Sequence, residues 1–132
     1  MRAGHIGQAE ELLREHVAAR PNDHEALALL AQIALMLRRL DEAESLLMQA
    51  LRGDRKRADY HALLAEVLTT AGRHREAIGR YDQALKIHGD YDAAHAGKAE
   101  TYLRMGKMDR AIASIERAPD TPITAIPRLR AL

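Results

Sequence analysis

The chain predicts an all-α solenoid: seven helices, six of them stacked as antiparallel pairs. Three observations predict it. Alanine recurs at Ala9, Ala43, Ala77 and Ala111, each 34 residues after the last, and a period of 34 belongs to helix–turn–helix repeats. The same period runs through other columns. A large side chain follows each alanine by four residues (Leu13, Leu47, Tyr81, Ile115), and a small residue precedes three of them by twelve (Ala31, Ala65, Ala99). Composition agrees: 47% of the residues are apolar but only 3% aromatic, all tyrosine, so an aliphatic core is expected. Ala, Leu, Glu, Arg and Lys are strong helix formers.

The first element is an unpaired helix over about residues 7–19. Three pairs follow, over about 23–37 with 41–53, 58–71 with 75–88, and 92–105 with 109–118. Leu27, Leu30, Ala31 and Ala34 show the spacing of one buried helical face. Asp41 and Asp109 are expected N-caps, because a short carboxylate accepts from orphan amides. Gly72 and Gly106 end helices in the left-handed conformation that glycine adopts cheaply, and Arg38 stands in the same column. Ala31 is set against Ala43, Ala65 against Ala77 and Ala99 against Ala111, where axes about 8–10 Å apart leave room only for small side chains. Gly79 falls mid-helix, where glycine costs about 1 kcal/mol against alanine; close approach of the neighbouring first helix is the expected reason. None of Pro21, Pro119, Pro122 and Pro127 interrupts a proposed helix.

These columns resemble the tetratricopeptide repeat family over roughly residues 1–118. Leu27, Leu30 and Ala31 match the first helix of one repeat; Leu64, Ala65, Leu68 and Gly72 match the next; Ala99, Tyr102 and Gly106 match the third. Pro21 stands at the repeat end. Arg38, Arg55, Gly89 and Lys98 depart from the pattern, and His61 and His95 take the column that Leu27 occupies. The resemblance implies a right-handed solenoid of about 3.5 repeats. It divides the chain into one domain over 1–119, with a half repeat 1–23 and repeats 24–57, 58–91 and 92–119. A proline-containing tail, 120–132, follows as an irregular cap or a linker. The N-terminal half also resembles, more weakly, helical repeats that precede sulfotransferase domains in some bacterial proteins.

Charge narrows the partners. Twenty basic and 19 acidic residues leave a formal net charge of +1, which gives no long-range attraction for nucleic acid. The longest apolar run, Ala26 to Leu37, is interrupted by Gln32 and is too short to span a bilayer. Without cysteine or a secretory leader, a soluble protein of the bacterial cytoplasm is the expectation.

No catalytic, cofactor or metal motif emerges. His61 and His95 lie on equivalent positions of adjacent repeats, too far apart for one ion whose ligands sit at about 2 Å; a packing role is expected for both. His5, His24, His74 and His88 fall at helix ends, where solvation is the default. The cluster Arg52, Arg55, Lys56 and Arg57 reads as a solvated loop. Gly97-Lys98 is followed by Ala99 rather than Ser or Thr, so it is no phosphate loop.

By the family resemblance, the first helix of each pair lines a concave surface. The inner positions are then Glu25, Ala28, Gln32, Leu35 and Met36; Asp59, Ala62, Glu66, Thr69 and Thr70; and Ala93, Ala96, Glu100, Leu103 and Arg104. Small residues at Ala28, Ala62 and Ala96 leave floor space beside the row Gln32, Glu66 and Glu100. Such a lining suits a peptide segment of a protein partner carrying Lys or Arg. The leading expectation is a non-enzymatic interaction scaffold with no cofactor. The alternatives are a structural element that self-associates through the solenoid ends, and a fragment of a larger bacterial enzyme such as a sulfotransferase.

Overall fold

The computed structural model describes residues 3–117. They form seven α-helices: α1 (Ala3–Ala19), α2 (His24–Met36), α3 (Leu40–Gly53), α4 (Ala58–Thr70), α5 (His74–Ile87), α6 (Asp92–Arg104) and α7 (Met108–Arg117). No strand occurs among them. Each helix packs on the next, and α4 also packs on both α2 and α6. The tail after 117 lies outside the described residues, and with it the expectation of an irregular cap or linker. α1 starts at Ala3 rather than near residue 7. Its first turn carries exposed Gly4, His5 and Gly7, which leave no apolar periodicity to read.

The periodic alanines sit where helices meet. Ala31, Ala43, Ala65 and Ala77 have no accessible surface, and Ala99 and Ala111 are also buried; Ala9, on the outermost helix, is half-buried. The core around them is mainly Leu27, Leu30, Leu47, Leu64, Val67 and Leu68. It is not purely aliphatic, because Tyr60 and Tyr81 are buried in it too.

Each helix pair turns in the same way. Arg38 (φ 62°), Gly72 (φ 83°) and Gly106 (φ 75°) are left-handed. The amide after each donates to the carbonyl five residues back: Arg39 to Ala34 at 2.8 Å, Arg73 to Leu68 at 2.9 Å, and Lys107 to Tyr102 at 2.8 Å. These bonds close the last turn of each first helix, and Arg38 adopts the glycine conformation to make one.

The capping expectation is corrected. Asp41 and Asp109 are inside α3 and α7, in their first turns; there their charge complements the helix dipole. The N-cap of α3 is Arg39, with no side-chain bond. The side-chain cap is instead Asp23, whose Oδ1 accepts from the Ala26 amide at 3.2 Å. Its Oδ2 lies 2.7 Å from His16 Nε2, joining α1 to the start of α2.

The expectation for Gly79 is also corrected. It is exposed, and a Cβ there would meet no atom within 4 Å. The glycine at a close approach is Gly97, where a Cβ would fall 2.4 Å from Tyr81 Cζ and Oη.

Histidines tie the junctions. His61 Nε2 donates to the Arg55 carbonyl at 3.1 Å, and His95 Nε2 donates to the Gly89 carbonyl at 2.9 Å. Both rings are buried, and each holds the turn six residues before it. His24 is not simply solvated: its Nδ1 is 2.8 Å from the Tyr60 hydroxyl, and its ring packs edge-on to Tyr60. His88 stacks on Tyr91 with ring centroids 5.4 Å apart. His74 has a buried Nδ1.

Candidate functional site: the concave groove

α4 touches both α2 and α6, whereas α3 and α5 make no comparable contact with each other. Crowding on one side and spreading on the other bends a stack of helix pairs, with the crowded row inside. A groove of about 740 Å³ runs across that row.

Twelve of the fifteen expected positions line it: Glu25, Ala28 and Gln32 from α2; Asp59, Ala62, Glu66, Thr69 and Thr70 from α4; Ala93, Ala96, Glu100 and Arg104 from α6. Leu35 does not: it packs against the core. Leu103 is 49% exposed and Met36 53% exposed, but neither lines the groove. Helical rotation explains the misses, because one residue of displacement turns a side chain by about 100°.

The floor is tighter than the residue types suggest. Thr69 is buried, and its Oγ1 lies 2.8 Å from Thr101 Oγ1. Thr101 Oγ1 donates to the Gly97 carbonyl at 2.8 Å, so Thr69 donates to Thr101. Thr69 is thus a floor residue joining α4 to α6, with its proton already committed.

Tyr81 enters the groove from α5 through the gap that Gly97 leaves. Burial pushes its hydroxyl up to about 12, the nearby Glu66 and Glu100 carboxylates add to this, and the Thr69 and Thr101 hydroxyls beside it offset part. The phenol is therefore a neutral donor at the base of the groove, between carboxylates of α4 and α6.

Charges within the groove are partly satisfied. Arg57 grips Asp59 with Nε and Nη2 at 3.0 and 2.9 Å and lies 4.2 Å over the Tyr60 ring. The Arg57 guanidinium holds the Asp59 carboxyl below the ordinary carboxylate range. Arg104 reaches Glu100 at 3.2 Å, with both side chains more than half exposed. Such a pair is weak and exchangeable. Glu25 and Glu66 form no ion pair among the described residues.

Sequence reasoning missed Arg57, Tyr60, Tyr81, Tyr91 and Gly97, all of which line the groove. For two of them a signal exists. Leu13 and Leu29, Leu47 and Leu63, and Tyr81 and Gly97 are successive pairs in two columns 16 residues apart. The third pair exchanges two medium side chains for one large and one absent, a volume-conserving swap.

Among the described residues no cluster of three or more His, Asp or Glu could hold a metal ion. No helix among them is long and apolar enough to cross a membrane.

A tetratricopeptide repeat family model matches the chain over residues 1–67 and again over 68–131. No curated protein sequence matches it. Among solved structures, the crystal structure of MamA superimposes with a TM-score of 0.80 at 21% identity, covering 94% of this chain and 70% of that one. A second MamA structure, MSR-1 C2, gives 0.77 at 22% identity, covering 98% and 71%. A mutant O-GlcNAc transferase of Thermobaculum terrenum gives 0.77 at 25% identity, covering 88% of this chain but 23% of the enzyme.

Proposed function

We propose, from the premise that this chain belongs to the tetratricopeptide repeat family, that it is a non-enzymatic scaffold whose concave groove holds a peptide segment of another protein. The family and the solved neighbours support an interaction scaffold in general. The finer reading rests on one arrangement. Glu66 and Glu100, equivalent residues of α4 and α6, stand over Tyr81 in an open groove floored by Ala62, Ala96 and Gly97. A lysine or arginine entering there would meet two carboxylates and an aromatic edge, through charge-assisted hydrogen bonds. It would displace Arg104 from Glu100 at little cost.

The test is a library of Lys- and Arg-bearing peptides measured by fluorescence anisotropy. Peptides that bind the native chain should lose at least tenfold in affinity on Glu66→Lys with Glu100→Lys, with amide shift changes centred on the groove residues of α2, α4 and α6 and on Tyr81 of α5. Unchanged affinity rejects the acidic groove.

A second reading, self-association, is favoured by Leu12, 67% exposed on α1. A sedimentation series that gives a concentration-independent monomer removes it. The O-GlcNAc transferase neighbour illustrates that helical repeats of this kind also occur within enzymes; the reading of this chain as a piece of one is the least supported by its own residues. A cytoplasmic setting accords with this function.

A further inference from the structure

A second groove, of about 890 Å³, lies on the other face of α4, rimmed by the spread helices α3 and α5. Gly79 is on its rim in the middle of α5. Glycine weakens a helix at such a position, and among the described residues no atom lies within 4 Å of a Cβ placed there. Its missing side chain therefore relieves no contact among them. What it does leave is room for a foreign backbone to come close.

The surrounding chemistry selects the visitor. Arg52 and Arg55 line the groove, are exposed, and have no carboxylate partner among the described residues. Arg80 Nη2 reaches Met48 Sδ at 3.7 Å and lies within electrostatic range of Glu76. The two carboxylates of the rim are already engaged: Glu44 and Glu76 both bind Arg73, each at 2.7 Å. Three guanidiniums thus border a channel closed below by buried leucines and carrying Met48, 40% exposed, on its wall. Methionine adapts to varied apolar surfaces.

We propose that this convex groove takes an acidic amphipathic helix of a partner protein. Its backbone crosses at Gly79, its apolar side rests on Met48, and its carboxylates meet Arg52, Arg55 and Arg80. Charge complementarity favours an acidic segment over a basic one, and a channel between two helices admits a third in the manner of helix-in-groove recognition. Nothing in this depends on the concave groove being occupied.

The experiment is a display selection of randomised 20-residue helical peptides on the full 132-residue chain, with counter-selection on the Gly79→Leu chain to remove binders of other surfaces. The expected survivors carry Asp or Glu beside an apolar stripe. They should weaken at least tenfold on Arg52→Glu with Arg55→Glu, weaken further with rising salt, and be unaffected by Glu66→Gln with Glu100→Gln. The open space above Gly79 lets the leucine variant fold; its thermal midpoint is measured alongside, and Arg80→Glu serves as a second probe of the same rim. Absence of survivors, survivors rich in Lys or Arg, or survivors indifferent to the arginine reversals would overturn the proposal. So would a dimer in sedimentation that Gly79→Leu dissolves, since a second copy of this chain would then be the occupant.

Discussion

Tyr81 and Gly97 act as one unit. The phenol ring occupies the volume that any larger residue at 97 would need, and its hydroxyl closes the groove floor beside Thr69 and Thr101. Gly97→Leu alone should cost about 1–3 kcal/mol, the usual range for overpacking. Adding Tyr81→Leu recreates the leucine pair of the preceding unit and should recover most of that loss. Chemical denaturation of the double-mutant cycle should show an interaction energy above about 1 kcal/mol; additive effects would mean that the two residues do not share this space. The same burial gives Tyr81 a titration signature. Its folded value, about 12, lies above the ordinary 10.0. The stability from burying a neutral phenol is therefore complete below pH 10 and is lost as pH rises from 10 to 12. A difference titration at the phenolate absorbance, native minus Tyr81→Phe, should have its midpoint near 12; a midpoint near 10 would place the ring in solvent.

At the level of elements, the turns show how far a column can be pushed. Arg38 holds φ 62° in a position that glycine fills in the next two turns. A left-handed non-glycine residue costs about 1–2 kcal/mol, partly offset because glycine loses more chain entropy on folding. Arg38→Gly should therefore stabilise the fold by about 0.5–1 kcal/mol, read as a raised thermal midpoint. A lowered midpoint would show that the arginine side chain makes a compensating contact. The helix ends teach a related lesson. Asp41 and Asp109 are short acids near helix starts, and sequence does not distinguish a cap from a first-turn residue one or two positions on. Backbone dihedrals do, and they place the side-chain cap at Asp23.

For the whole molecule, curvature decides which residues can act together. The groove along α2, α4 and α6 brings Glu66 of α4, Glu100 of α6 and Tyr81 of α5 together. Spreading of α3 and α5 opens the opposite face around Gly79. Most of the inner lining was legible because the small and acidic columns repeat every 34 residues, as Ala28, Ala62 and Ala96 do. The tyrosines were not, because no aromatic column repeats. Tyr60 and Tyr91 fall outside any aromatic column, and Tyr81 reaches the groove from a second helix through a hole made by a glycine sixteen residues later. Gly79 and Gly97 look alike in one dimension; one faces open space and the other a phenol ring.

The sequence by itself determined the helices, their pairing and the small residues buried where paired helices meet. Each follows from local spacing and side-chain size, and both are written residue by residue along the chain. Tertiary structure alone decided which glycine relieves a contact, which carboxylates have no cation among the described residues, and which face opens. Those are properties of distances between helices, and such distances are set by the sum of all side chains packed between them.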